Sequence, residues 1–175
     1  MFYNKNLGLC LIEVFIVLAI LILCASLIFP YFQHLWARQE LSQVTHHLYQ
    51  QIHLAKNAAQ LRHSNIILCC SHQGQQCELN CWHRQSIVFA DLNQNRQIDP
   101  NEPILDHRQL NLKYGQLNWH GALRSPCIVF KAHLGHPIGY NGSFYYQSHI
   151  LPLQQRIILS KTAHIRVEIA TLEQN

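Results

Sequence analysis

Residues 8–30 read GLCLIEVFIVLAILILCASLIFP, and the architecture of the chain follows from them. From Leu9 to Phe29 the stretch runs for 21 residues with one formal charge, Glu13. At about 1.5 Å per residue, a helix of that length spans about 30 Å, the thickness of a bilayer core. A secretory signal peptide has a shorter apolar core and a small-residue cleavage site, so this stretch predicts a retained membrane anchor.

The rest of the chain is long enough for one domain. Of the 175 residues, about 145 follow the apolar stretch, which is enough for one hydrophobic core and too few for two. An apolar content of 49% with 7 Gly and 6 Pro excludes a disordered or collagen-like chain. Residues 107–175 carry seven basic residues against Glu168 and Glu173, a net charge of +5 (7 − 2). A polyanion partner would bind first at this basic end.

Glu13 is an acid inside the apolar stretch. Because insertion scales put the free-energy cost of an acidic side chain in a spanning helix at about 3 kcal/mol, Glu13 needs either a hydrated position near the membrane surface or a positively charged partner. Cleavage after Gly8 would supply that partner as the new amine of Leu9. Lys5, the only charge in residues 1–8, favours a cytoplasmic leader, with the bulk of the protein outside the inner membrane.

The string from Gly8 to Val14 resembles the cleavage and methylation signal of type IV prepilins: a glycine, an apolar residue, and a glutamate fifth after the cut. Pro30 matches the proline that kinks the pilin stem helix, and Leu9 stands where the family more often has phenylalanine. The resemblance implies cleavage after Gly8 by a prepilin peptidase and N-methylation of Leu9. It also implies that Glu13 and Pro30 serve assembly with other pilins.

Beyond Pro30, apolar residues recur every three or four positions, which predicts an amphipathic helix ending near Ser64. They are Ala37, Leu41, Val44, Leu48, Ile52, Ala55 and Ala59. Short β-branched or aromatic runs predict the strands on which the helix packs. These runs are Asn65–Cys70, Ser86–Ala90, Ile128–Ala132, Gly142–Gln147, Arg156–Ser160 and Ile165–Ala170. The pattern indicates an α+β fold: a leader at 1–8, a transmembrane helix at 9–29, its amphipathic continuation at 30–64 and a β-rich head at 65–175.

The body of the chain resembles the GspH/FimT pseudopilins, over about residues 8–167. The residues that carry the similarity are Leu54 to Ala58, Cys69, Ser71, Gly74, Cys77, Trp82, Ile87 to Asp91, Asn93, Asn95, Asn141 to Phe144 and Ile157 to Ser160. The resemblance implies a type IV pilin-like fold and a minor pilin or pseudopilin, assembled into a type IV pilus or a type II secretion pseudopilus. No Ser/His/Asp order, glycine-rich phosphate loop or pair of carboxylates in an apolar setting indicates an enzyme.

An acidic and amide-rich stretch follows the second predicted strand. Its oxygen-bearing side chains fall at positions 1, 3, 5, 9 and 12 of a calcium-loop template, with Ile98 at position 8. They are Asp91, Asn93, Asn95, Asp99 and Glu102. Arg96 stands where the template needs glycine, and the flanks read as a strand and Pro103 instead of two helices. A strand-connecting turn is therefore the alternative to a Ca²⁺ site, and no other cofactor is expected.

Five cysteines lie beyond the apolar stretch: Cys69, Cys70, Cys77, Cys81 and Cys127. In an oxidising periplasm they predict disulfides, and the sequence leaves the connectivity open. The GspH/FimT resemblance favours Cys69 with Cys77, although Cys70 could replace Cys69. Cys81 and Cys127 are candidates for a second bridge, and two bridges leave one of the five thiols over. Zinc held by Cys69, Cys77, Cys81 and a histidine is the alternative, but the spacing fits no common structural site.

The stretch Ala163-His164-Ile165-Arg166 lies where DNA-binding members of the family carry a glycine-arginine-x-arginine motif. Alanine replaces the glycine and His164 the first arginine, and a neutral histidine supplies no cation at pH 7. DNA capture for natural transformation, through Lys161, His164 and Arg166, is the alternative function. Such binding would strengthen on acidification, when histidine gains charge.

Overall fold

The computed structural model describes residues 11–72 and 76–171. Within these ranges one long helix is followed by eight strands, with a 3-10 turn at Ala122–Arg124. The elements are α1 Leu11–Arg62, β1 Asn65–Cys69, β2 Gln85–Asp91, β3 Ile104–Gln109, β4 Gly115–Gly121, β5 Cys127–Phe130, β6 Gly142–Ser148, β7 Leu153–Leu159 and β8 Ile165–Thr171. The predicted α+β fold, with an N-terminal spine helix and a β-rich head, is confirmed.

The chain divides into two compact units between Trp36 and Ala37. The described part of the first unit is the N-terminal portion of α1, whose large apolar side chains are exposed. In the part of the chain that the structure describes, α1 is the one helix long and apolar enough to cross a membrane, with a mean hydropathy of 3.0 in its most apolar window. The helix is continuous through Pro30.

The second unit contains the rest of α1 and two antiparallel four-stranded sheets. The first sheet has the strand order β3-β2-β1-β5, and the second has the order β4-β6-β7-β8. Most of the predicted apolar stripe of α1 is buried in this unit: Ala37, Val44, Leu48, Ile52, Ala55 and Ala59. Burial of that stripe, more than intrinsic helix propensity, stabilises this part of the helix.

Two apolar clusters hold the second unit together. The inner cluster joins α1 to one face of each sheet, and Trp82, Trp119 and Phe144 pack in it with ring centroids 4.5–6.4 Å apart. The outer cluster lies on the opposite face of the first sheet and is covered by Ile98 and Tyr140. The loop between β2 and β3, which carries Ile98, therefore closes the outer face of that sheet.

All six predicted strands are present, with ends that differ by at most three residues. The helix ends at Arg62, slightly before the predicted Ser64, because His63 takes a left-handed conformation (φ 51°) that stops it. Strands β3 and β4 were not predicted. β3 is a polar edge strand, and β4 is a short alternating run that begins and ends with glycine.

Candidate functional site

Glu13 lies in the first turn of α1 as the structure describes it, and its side chain is exposed. It makes no ion pair or hydrogen bond with any other described residue. The predicted cleavage and methylation positions, Gly8 and Leu9, lie outside the described residues. The pairing of Glu13 with the Leu9 amine therefore stays a prediction, as does the role of Pro30 in assembly.

The loop between β2 and β3 holds two buried carboxylates. Asp91 is 2% exposed and Glu102 is 8% exposed. Glu102 Oε1 accepts hydrogen bonds from the backbone N–H of Leu92 (2.7 Å) and Asn93 (3.4 Å), which places the carboxylate beside the end of β2. Burial, and then the charge of Glu102, raise the pKa of Asp91. The sequence did not indicate this buried pair, because it forms only when the loop folds Glu102 back onto the strand end.

The other predicted calcium ligands lie on the exposed side of the same loop. The side-chain amides of Asn93 and Asn95 both donate to Asp99 Oδ2, at 2.7 and 2.8 Å. Across residues 11–72 and 76–171, no three His, Cys, Asp or Glu side chains are grouped in a way that could hold a metal ion. The structure thus separates this loop into a buried pair of carboxylates and an exposed, internally hydrogen-bonded set.

Four of the five head cysteines form disulfides. Cys69 is joined to Cys77 and Cys70 to Cys81. Cys127 was a candidate for a second bridge, but it is a free, buried thiol, and burial raises its pKa. The zinc alternative is wrong, since its three cysteine ligands are all in disulfides.

The predicted DNA-binding residues lie at the turn into β8. His164 N–H donates to Ser160 Oγ at 3.0 Å, and the His164 side chain is exposed. Ala163 is left-handed (φ 60°), which explains why this position suits glycine. Arg166 is paired with Glu168, which also lies 3.8 Å from Arg156. The charge of Arg166 is therefore partly neutralised within the protein.

A surface cavity of 440 Å³ lies between this turn and α1. Tyr49, His53 and Lys56 line it from the helix, and residues 162–165 line it from the turn. The rings of Tyr49 and His53 are 4.3 Å apart. The cavity thus combines an aromatic pair, a permanent cation and the exposed His164.

Glu40 is a residue whose importance the sequence did not reveal. It accepts hydrogen bonds from the backbone N–H groups of Lys113 (2.7 Å) and Tyr114 (3.1 Å) and from the hydroxyl of Tyr146 (2.8 Å). Burial, and then this contact with Glu40, raise the pKa of Tyr146. Glu40 ties α1 to the second sheet, and its partners lie too far along the sequence for local patterns to indicate them.

Comparison with known proteins shows the family to which the chain belongs. The sequence model of the family described as Type II transport protein GspH matches residues 44–168. The chain belongs to the GspH family. It is therefore a pseudopilin or minor pilin, a class of structural filament subunits, and the prediction that it is not an enzyme is confirmed. The matched region covers part of α1 and the sheets up to β8.

A solved structure supports the fold of this GspH-family chain. The crystal structure of the type IV minor pilin FimU from Pseudomonas aeruginosa (strain PAO1) is similar with a TM-score of 0.50 and 12% sequence identity. The match covers 73% of this chain and 91% of that chain. At this identity the similarity bears on the fold alone. The search of curated proteins found no match.

Proposed function

We propose that this GspH-family chain is a membrane-anchored minor pilin or pseudopilin that enters a type IV pilus or a type II secretion pseudopilus. Its leader, residues 1–8, is removed by a prepilin peptidase, and its head lies in the periplasm. The observation that carries the proposal is Glu13, an exposed acid without a described partner in an otherwise apolar helix. An acid kept at that cost has a use in the membrane.

The exposed apolar portion of α1 suggests how the subunit leaves the bilayer. Lipid covers these side chains before assembly, and the apolar helices of neighbouring pilins replace the lipid in the filament. Glu13 pairs with the amine of Leu9, in the same chain or in a neighbour, so that neither charge is buried alone. The pair also sets the axial position at which one subunit joins another.

Glu13→Ala is expected to leave membrane insertion intact and to lower incorporation into filaments by about tenfold or more. The physical reason is the loss of the charge pair. A tenfold decrease in incorporation corresponds to a loss of about 1.4 kcal/mol in the free energy of association between subunits. The measurement is the amount of this protein in sheared filaments relative to the membrane fraction, in cells that have their own filament machinery. Glu13→Gln, which keeps the shape, separates the effect of charge from that of packing.

Ser26→Ala is the matched control, because Ser26 is a polar residue of the same apolar helix that bonds only its own turn through the Leu23 carbonyl. Mass spectrometry of each variant checks that residues 1–8 are removed and that one methyl group is added. Incorporation of Glu13→Ala at the level of the parent chain would refute the proposed role. A chain that retains Met1 would refute the processing step.

DNA capture is the second candidate function. The cavity between α1 and the β8 turn supports it, since single-stranded nucleic acid is commonly held by aromatic side chains on which its bases stack, beside cations that contact its backbone. The pairing of Arg166 with Glu168 argues for weak binding, because a neutralised arginine contributes less to a phosphate contact.

His164→Arg is expected to increase DNA affinity at pH 7 about tenfold. The slope of log affinity against log salt concentration should become steeper by the amount that about one added phosphate contact contributes. It places a permanent cation where the parent has a histidine. The measurement is fluorescence anisotropy with a labelled single strand at two pH values and several salt concentrations. His149→Arg, which adds the same charge at another exposed position, is the control. Equal gains in both variants would mean that only net charge matters, and no binding by any variant would remove this function.

A further inference from the structure

We propose that the loop between β2 and β3 binds a divalent cation, Ca²⁺, through the carboxylates of Asp91 and Glu102. The proposal goes beyond filament assembly and does not depend on it. It starts from the buried pair of carboxylates described above. Each has one oxygen that accepts no hydrogen bond from the residues that the structure describes.

The unused oxygens are the first part of the argument. Asp91 Oδ1 and Glu102 Oε2 are buried and have no hydrogen-bond partner among the described residues. Both side chains are more than nine-tenths buried. Glu102 Oε1 accepts from the backbone N–H of Leu92, the residue next to Asp91, so the two carboxylates are neighbours. Buried carboxylate oxygens without donors are costly unless a cation or a proton satisfies them.

The charge around the pair is the second part. Neither Asp91 nor Glu102 forms a salt bridge with a described Lys, Arg or His. The guanidinium of Arg96 lies 5.3 Å from the centre of the Tyr140 ring, and Asp91 accepts from the backbone N–H groups of Gln94, Asn95 and Arg96. The described residues thus surround the two buried carboxylates with backbone N–H groups but pair neither of them with a positive side chain.

The conformation of the loop is the third part. Arg96 occupies the sixth position of the calcium-loop template, where glycine usually allows a left-handed turn, and it takes that turn (φ 62°). The glycine that the template needs at this position is therefore not required, because Arg96 itself adopts the left-handed turn. Asn93 Oδ1 accepts from Asn95 N–H (3.1 Å), and Asn95 Oδ1 accepts from Gln97 N–H (2.7 Å), so both amide oxygens are engaged in the exposed part of the loop and the proposed ligands are the two buried carboxylates.

The donor chemistry selects the ion. All candidate donors are oxygens, which hard cations prefer, and two carboxylates with backbone oxygens suit the irregular coordination of Ca²⁺ better than the strict octahedron of Mg²⁺. Few charged ligands make a weak site, with a dissociation constant on the order of 10⁻⁴ to 10⁻³ M, as in extracellular calcium modules. A proton competes for the same oxygens.

Thermal unfolding of the full-length protein in detergent micelles tests the proposal. After treatment with EDTA, about 10 mM Ca²⁺ at pH 7 is expected to raise Tm by about 4 °C, and the same amount of Mg²⁺ by much less. Equilibrium dialysis with radioactive calcium measures the binding itself, with one site per chain.

Asp91→Asn is the decisive variant, because it removes a buried charge while keeping the shape of the side chain. Without Ca²⁺ it should melt at or above the temperature of the parent, and it should show no calcium shift. Glu102→Gln is the second variant, and Glu78→Gln, an exposed carboxylate in another loop, is the control that keeps the shift. The proposal is overturned if the parent binds no calcium at 10 mM, or if Asp91→Asn shifts as the parent does. Higher stability in acid without any calcium response would also overturn it and assign a shared proton to the pair.

Discussion

Replacing Cys69, Cys70, Cys77 and Cys81 together by alanine is expected to lower the free energy of unfolding of the head by about 5 kcal/mol. The two bridges close loops with sequence separations of 8 and 11. Each closure is worth about 3 kcal/mol in the chain-entropy view, and the sum is somewhat lower because the loops overlap. Total stabilities are about 5–15 kcal/mol, so this loss leaves the head marginally folded at best.

Urea unfolding followed by tryptophan fluorescence measures this loss, since Trp82 and Trp119 lie in the inner cluster. The variant lacking only Cys70 and Cys81 should lose more than the variant lacking Cys69 and Cys77, because Cys70 and Cys81 are both buried whereas Cys77 is half-buried. Cys127→Ala removes a sulfur atom but no disulfide, so it is the control. It should lower the free energy of unfolding by about 1 kcal/mol. Equal stability of the four-alanine variant and the parent would contradict both bridges.

Gly142→Ala is expected to destabilise the head by about 3 kcal/mol or more, because the added methyl group has no room. Gly142 pairs with Gly121 across β4 and β6. A Cβ at Gly142 would clash with the carbonyl oxygen of His120 and would lie 2.8 Å from the Cα of Gly121 and 2.7 Å from the ring of Trp119. Two of these neighbours are backbone atoms, which cannot move aside without breaking the strand pair.

Gly139→Ala is the matched control for this prediction. Gly139 is left-handed (φ 81°), but a Cβ there would meet no atom within 4 Å. Its substitution should cost only the backbone term, about 1 kcal/mol. Chemical unfolding of both variants beside the parent gives the comparison. A similar loss in the two variants would show that steric exclusion at the β4–β6 pair is unimportant.

The sequence predicted the spine helix and six of the strands because both patterns are local. The apolar stripe from Ala37 to Ala59 repeats with the period of a helix, and its burial in the head follows directly. β4 does alternate, with Leu117 and Trp119 buried and Asn118 and His120 exposed, so its signal was present but was hidden by terminal glycines. β3 has no such signal, since an edge strand can stay polar on both faces.

The same distinction between local and long-range signals applies to the candidate sites. Glu13 and the spacing from Asp91 to Glu102 could be read from the sequence, because each depends on residues a few positions apart. The burial of Glu102 and the hydrogen bonds of Glu40 could not, since they depend on how distant segments pack. The free thiol of Cys127 was missed for the same reason: it lies opposite Cys69 in the β1–β5 pair, yet Cys77 takes the bond.

The two adjacent cysteines at the end of β1 have a consequence for how the head reaches its native state. Successive residues of a strand point to opposite faces, and Cys69 belongs to the outer cluster while Cys70 belongs to the inner one. A slip of β1 by one residue would exchange the two sulfur atoms between faces and present each to the wrong partner. Both native bridges can therefore close only in molecules whose central strand already has its native register, so oxidation selects the correctly paired sheet.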